Sequence, residues 1–424
     1  MIYSFEQVVK KKDGFLRGPF GSALKKTLFV PKGKDTIKVY EQSVPLEQDE
    51  TLGHYYISRE YFVNSMFRFE VKPNDFLISC SGVNYGAIYQ LSNNAEHGVI
   101  NQALLRVRLN NDVIDDNYFL YLFKSLIMKK ITSGTGDSTI PNFPSMDIVK
   151  KIEFDLPELI RQKKVGFILS FIDKKIVNNN KINAELESMA KTLYDYWFLQ
   201  FEFPNEDGKP YKSSGGKMVY NKELKREIPE GWKVENLMDS TLCKDIKAGV
   251  DYFDYKNYLP TANIDGENIT EGENVTYDNR ENRANMQPIK YSVWFAKMKN
   301  SIKHLTIPNN SDWFIEKYIL STGFQGLKCS VDSLSFIHCI VNSVWFENYK
   351  DVLSHGATQE GVNNDDLKNI KFAVPTNNIL KQFSNIVLPL LERKFSIIKE
   401  NQELTSLRDF LLPLLMNGQV TFKE

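Results

Sequence analysis

The chain has 424 residues, is 42% hydrophobic, and balances 53 basic against 53 acidic side chains for a formal net charge of zero. That length exceeds what one hydrophobic core sustains, so two or more domains are expected. Balanced charge argues against a strongly basic, sequence-indifferent nucleic-acid binder, and no apolar run reaches the roughly 18 residues of a membrane span, so a soluble, cytoplasmic protein is expected.

In chain order, residues 1–157 mix short alternating segments with turn signals and read as an α+β domain. Val71–Ser79, with a turn signal at Pro73-Asn74-Asp75, and Gly98–Leu109 have strand character, while Asn117–Lys130 has helical spacing through Tyr118, Leu122 and Leu126. From Glu158 the pattern becomes helical. Val165, Ile168, Ile172, Lys175, Asn179, Ile182, Leu186, Met189, Leu193 and Tyr196 step by threes and fours, a heptad seam with polar Lys175 and Asn179 able to fix register. Roughly 40 helical residues make a rod of about 60 Å. An aromatic cluster (Tyr194, Tyr196, Trp197, Phe198, Phe201, Phe203) closes this segment, 158–203. Packing is the more economical role for it, base stacking the alternative.

Residues 204–230, with Pro204, Gly208, Pro210 and Gly215-Gly216, read as a linker. A second α+β domain is expected over 231–375. The final segment, 376–424, repeats the heptad through Phe383, Leu390, Ile397, Leu404 and Leu411. Because an interior proline costs about 3 kcal/mol or more, its regular helix is expected to run from near Pro389 to near Pro413.

The two halves say nearly the same thing. Ser133-Gly134-Thr135, Ile148, Ile152, Phe154, Pro157 and Asn183-Ala184-Glu185-Leu186 are echoed by Ser354-His355-Gly356, Leu367, Ile370, Phe372, Pro375 and Asn401-Gln402-Glu403-Leu404. The offset is about 218 positions, far beyond the roughly 20 to 50 residues of a solenoid repeat. The expected architecture is one unit of globular domain plus long helix, present twice.

Catalytic signatures are missing. The sequence holds no Asn/Asp-Pro-Pro-Tyr/Phe tetrapeptide, no phosphate loop, and no strand–glycine turn–helix motif that could cradle S-adenosylmethionine. The four cysteines, Cys80, Cys243, Cys329 and Cys339, lack C-x-x-C spacing, and the five histidines are scattered. Asp115-Asp116 and Asp365-Asp366 read as helix N-terminal turns.

Gly18-Pro19-Phe20-Gly21-Ser22-Ala23-Leu24-Lys25-Lys26 resembles a phrase near the start of the specificity (S) subunits of type I restriction-modification systems. So do Gln162, Ile172-Asp173, Asn183-x-Glu185-Leu186, Leu193-Tyr194-x-x-Trp197-Phe198, Pro229-Glu230-Gly231-Trp232 and Ser321-Thr322-Gly323-Phe324. The resemblance covers the whole chain through the order of these segments and the duplication. It implies a non-catalytic subunit in which each globular domain reads half of a split double-stranded DNA sequence. The two long helices would lie antiparallel as a ruler and bind two methyltransferase (M) subunits, and restriction (R) subunits could join. S-adenosylmethionine, ATP and Mg would belong to those partners. A rod of about 60 Å spans a little under two turns of B-DNA at about 34 Å per turn.

On this reading the candidate DNA contacts are Arg17, Ser22, Lys25 and Lys26 in a Gly/Pro-punctuated loop, Ser81, Asn84 and Tyr85 after a strand, and Arg280, Arg283, Lys290 and Lys297 in a basic run. Arg and Lys suit phosphates and guanine edges, and short polar side chains suit base readout. Ordinary solvated loops would look the same. The candidate seam and partner positions are Ile168, Ile172, Ile182, Leu186, Met189, Leu193, Leu390, Ile397, Leu404 and Leu411. A rival from another class is a coiled-coil scaffold with two ligand-binding modules and no DNA role.

Overall fold

A computed structural model describes residues 1–134, 143–265, 268–356 and 360–420, and divides into two compact units: Met1–Lys174 with Leu407–Glu424, and Lys175–Ser406. Thr135, named in the repeat, lies outside the described residues, while Ser133 and Gly134 close the helix Met128–Gly134.

The first unit is built on two sheets. Its strands are β1 (Ile2–Ser4), β2 (Phe15–Arg17), β3 (Phe29–Val30), β4 (Thr36–Tyr40), β5 (Tyr56–Ser58), β6 (Glu70–Val71), β7 (Phe76–Ser79), β8 (Ile88–Gln90), β9 (Gly98–Ile100), β10 (Leu104–Val107) and β11 (Glu153–Asp155). One sheet has the order β2-β10-β7-β8, the other β3-β5-β4-β9-β6, and β1 pairs with β11. The expected strand Val71–Ser79 is broken into β6 and β7, which belong to different sheets, because Asn74 adopts a left-handed φ of 67° in the Pro73-Asn74-Asp75 turn. Gly98–Leu109 divides in the same way into β9 and β10. All four residues of β7 and of β10 are buried, so these strands are lined with apolar side chains on both faces.

Arg106 in β10 is an exception to that apolar lining. It is 1% exposed, as is Asp75. Arg108 holds Asp75 with two hydrogen bonds of 2.7 Å, and both arginines also reach Asp13. Charges withdrawn from water this far persist only when mutually satisfied.

A helix, Asp116–Leu122, packs on the first sheet and is capped by the Asp115 carboxylate, which accepts from the Tyr118 amide at 3.0 Å. The opening of the long helix Leu159–Tyr194 is docked on this corner. Gln162, buried, accepts from the Asp115 amide at 2.9 Å and donates to the Val113 carbonyl at 3.1 Å. Gly166 lies so close to the Tyr118 amide that a Cβ would stand 2.7 Å from it. The end of the last helix, Asn377–Met416, lies alongside. Arg408 donates to Asp173 at 2.9 Å and Leu415 enters the same core.

The second unit repeats this plan. After a hairpin of β12 (Met218–Asn221) and β13 (Arg226–Pro229) come β14 (Lys233–Asn236), β15 (Cys243–Ile246), β16 (Lys256–Leu259), β17 (Ile264–Asp265), β18 (Asn268–Ile269), β19 (Asn274–Val275), β20 (Ala284–Met286), β21 (Ser292–Ala296), β22 (His304–Ile307), β23 (Tyr318–Ser321), β24 (Phe324–Cys329) and β25 (Lys371–Val374). The order β15-β24-β21-β22 matches β2-β10-β7-β8, and β19-β16-β23-β20 matches β5-β4-β9-β6, down to the one parallel pairing in each. Likewise β14 pairs with β25 as β1 does with β11. The chain is an α+β protein with an internally duplicated fold.

Three sequence expectations need correction here. First, the seam is out of phase at alternate positions. Ile172 is buried, Leu186 and Leu193 are half-buried, but Ile182 is 43% and Met189 52% exposed, while their neighbours Asn183 and Ala190 are buried. Apolarity at 182 and 189 outweighed the small or amide side chains that in fact face inward, where Ala190 lets the Cys339 thiol approach its carbonyl. Ile397 is buried, and Ile168, Leu390, Leu404 and Leu411 are half-buried.

Second, the last helix is continuous through Pro389 and Pro413. Both prolines are exposed, and buried Val387, Leu391, Phe395, Ile397 and Ile398 offset the lost hydrogen bond with packing. Third, residues 204–230 carry the β12–β13 hairpin, with Tyr211, Met218 and Leu224 packed on the core. Apart from exposed Tyr196, the aromatic cluster packs in the core: Phe198 meets Phe336 and Phe383 at 4.8 Å, and Phe203 stacks on Trp232 at 5.4 Å.

Arg108→Ala strands the buried Asp75 carboxylate. A loss of about 3–5 kcal/mol in denaturant unfolding is expected, the scale of breaking one side of a buried pair. A loss below 1 kcal/mol would show that the network contributes little to the fold.

Candidate nucleic-acid interface

Strand directions decide which candidate residues meet. β2 and β7 both run antiparallel to β10, so their C-terminal ends fall together: Arg17 pairs with Leu105 and Ser79 with Leu104. β4 and β9 run parallel and finish in the same place, where the Asn101 amide bonds the Tyr40 carbonyl at 3.0 Å. Loops from both sheets therefore converge at one end of the first domain. Gln42 donates to the Ser81 carbonyl there, and the Gly18 amide bonds the Leu104 carbonyl at 2.8 Å. Gly18 approaches Asn101 so closely that a Cβ would lie 1.7 Å from its carbonyl oxygen, so only glycine fits.

Arg17, Ser22, Lys25, Lys26 and Asn84 are exposed, and Ser81 and Tyr85 are half-buried. Lys25 and Lys26 make no ion pair among the described residues. Arg17 lies against Cys80, whose thiol burial pushes up to about 12. With Cys243 also at about 12 through burial, neither thiol is a nucleophile. This end of the domain offers the Arg17 cation, the Asn84 amide and the Ser81 hydroxyl on short loops held by buried backbone, an arrangement suited to phosphates and base edges. Lys25 and Lys26 lead into β3, whose Phe29 stands level with Ile57 and Ile37, toward the other end of β4.

In the second copy the same end is formed by Lys247 after β15, Lys297 after β21, and the start of β24. The Lys297 amide bonds the Gly323 carbonyl at 2.9 Å, the Thr322 amide bonds the Arg283 carbonyl at 2.8 Å, and the Gly249 amide bonds the Asn285 carbonyl at 2.9 Å. Arg283 is exposed. Lys297 is half-buried, and burial lowers its pKa against the opposing pull of Asp245.

Two candidates are not brought here. Arg280 folds back, its guanidinium 4.0 Å from the Tyr277 ring centre and bonded to the Tyr277 carbonyl. Lys290 precedes β21, at the opposite end of that strand, and is paired with Asp312 at 2.8 Å. A run of basic residues carries no strand direction, which is why the sequence grouped all four. Lys247 was missed. Continuing the pairing of Ile246 with Gly326 sets it opposite Gln325, as Arg17 stands opposite Leu105, and only alignment of the two copies reveals the equivalence.

A type I restriction modification DNA specificity domain matches residues 19–188, which hold most of the first domain and much of the long helix. The chain is 28% identical over 326 residues to the type I restriction enzyme MjaIX specificity subunit of Methanocaldococcus jannaschii, covering 74% of this chain and 71% of that protein. It is 21% identical over 416 residues to the HindI specificity subunit of Haemophilus influenzae, covering 82% and 87%. The chain is thus similar to type I restriction-modification specificity subunits over most of its length. The fold agrees: a crystal structure of the S subunit from M. genitalium superposes with a TM-score of 0.51 at 15% identity, covering 98% of this chain and 95% of that one. No group of His, Cys, Asp and Glu able to hold a metal occurs among the described residues, and no described helix is long and apolar enough to cross a membrane.

If the Gly18–Lys26 loop meets the phosphate backbone, Lys25→Ala/Lys26→Ala should weaken binding alike on target and non-target duplexes and reduce the salt slope of log K by about 2. Lys290→Ala should leave both unchanged. An unaltered slope in the double variant would remove this loop from the interface.

Proposed function

We propose that this chain is a type I specificity subunit that recognises a bipartite DNA sequence, each copy of the duplicated domain reading one half. The observation that carries the proposal is the repetition of the whole strand plan with cations at the same end: Arg17 in one copy, Lys247, Arg283 and Lys297 in the other. The proposed domain limits are 1–157 and 231–375, with the helical segments 158–203 and 376–424 setting the spacing between half-sites and 204–230 leading into the second domain.

The long helices would also bind two M subunits, with R subunits able to join, in the cytoplasm. Their outward side chains support a docking role. Phe167 and Phe171 stack at 6.2 Å while more than 60% exposed, and Phe410 in the same unit is 66% exposed. Exposed aromatic side chains in such a group mark contact surfaces more often than solvent faces. Adenine methylation with S-adenosylmethionine and any ATP- and Mg-dependent cleavage would reside in those partners. The scaffold reading, with no DNA role, fits the helices but leaves the repeated cationic ends unexplained. A mobility shift with target duplex and the assembled S–M complex separates the two.

Exchange of residues 1–157 for the matching domain of another specificity subunit should alter one half of the sequence methylated in cells and leave the other intact. Methylome sequencing reads this directly, and a simultaneous change in both halves would contradict the division of labour.

A further inference from the structure

The loops at the reading end of the first domain also present apolar side chains, which charge and hydrogen bonding do not explain. Phe20 is 90% exposed and Val83 is 85% exposed, each more open than any other large hydrophobic side chain among the described residues. Both stand beside polar or cationic neighbours: Arg17, Ser22, Lys25 and Lys26 on one loop, Asn84 on the other.

Neither loop is loose. Pro19 and Leu24 are buried on either side of Phe20, the Ala23 amide bonds the Phe20 carbonyl at 2.9 Å, and the Tyr61 hydroxyl donates to the Ala23 carbonyl at 2.7 Å. Val83 lies in a turn closed by the Gly86 amide on the Ser79 carbonyl at 2.7 Å and fastened by Gln42 to Ser81. A side chain kept out of the core by so firm a frame is held for a contact outside the chain. The cations around it select an anionic partner.

We propose that Phe20 is a wedge that enters a base step in the half-site read by the first domain, with Val83 covering the neighbouring base edges. An apolar side chain set among cations can unstack a step while the surrounding charges hold the phosphates. In the second copy Val250, three residues beyond Lys247, is half-buried in the cluster of Phe253 and Tyr258, while Tyr252 and Tyr255 on the same loop are 72% and 75% exposed. The wedge is assigned to the first domain alone because Phe20 is the more open and is flanked by Arg17 on its own loop. This inference rests on the DNA-reading function proposed above.

The test uses the assembled S–M complex and duplexes carrying the sequence methylated in cells that hold the gene, with 2-aminopurine placed in turn at each position of either half-site. Away from the methylated adenines, which a methyltransferase turns out of the stack, the wild-type complex should raise fluorescence at one step of the first domain's half-site. Phe20→Ala should abolish that signal and weaken target binding about tenfold or more, the scale of one lost base contact, with non-target binding unchanged. Phe20→Trp should retain the signal. Because Phe20 is exposed, thermal unfolding of the variants should match wild type. A Phe20→Ala complex with undiminished affinity and signal would overturn the wedge while leaving the reading function intact. A wild-type complex with no preference for the target duplex would overturn the reading function itself.

Discussion

Asn179, 1% exposed on the long helix, donates to Glu400 at 2.9 Å and to Asn401 at 2.8 Å on the last helix. Lys175 reaches the same Glu400 at 3.2 Å, and Asn401 in turn donates to Asn180. A buried amide between two helices weakens association but tolerates only one register, because any slip leaves it unsatisfied among apolar side chains. In that register the helices run antiparallel through the second unit: Glu187 meets Lys394, and Trp197 meets Phe383 at 5.6 Å. If the helices set the spacing between half-sites, as proposed, a single register gives that spacing one value.

The same register ties the helix pair to the second domain. His338 lies 3.2 Å from the Glu187 carboxylate that Lys394 also holds, and Asn310 reaches Glu392 and Ser396. In the first unit Gln162 and Asp173 play the corresponding part toward Asp115, Tyr121 and Arg408. Each copy of the fold thus grips helix with polar groups that are specific in geometry, while its sheets turn their loop ends elsewhere. Arg17, Phe20 and Asn84 are exposed and contribute nothing to either core, so substitution there leaves the grip undisturbed.

Much of this was legible in the sequence because the signals were long or local. The repeat, the two heptad segments and the α+β character of each globular domain rest on many residues apiece. The caps at Asp115 and at Asn363-Asp366, where a capping box forms, depend on a few neighbouring side chains. What escaped depended on tertiary context. The phase of the seam was misread because Ile182 and Met189 are apolar yet exposed, while Asn183 and Ala190 face inward. Pro389 and Pro413 were read as helix limits, although packing on the opposite face outweighs them. Strand direction separated Lys290 from Arg283 and Lys297, and Arg280 folded back on Tyr277; no composition could have done so.

On the proposed reading, the helix pair of fixed register sets the spacing between the two half-sites. Because that pair is antiparallel, a matched insertion is needed: four residues in the long helix and four at the paired level of the last helix. Four residues add about 6 Å of helix and slightly more than one turn, so the seam stays nearly in phase. Methylome sequencing of cells carrying this variant should show both half-sites unchanged and the unread spacer longer by a little under two base pairs, at about 3.4 Å per pair. An active complex whose spacer is unaltered would contradict the account.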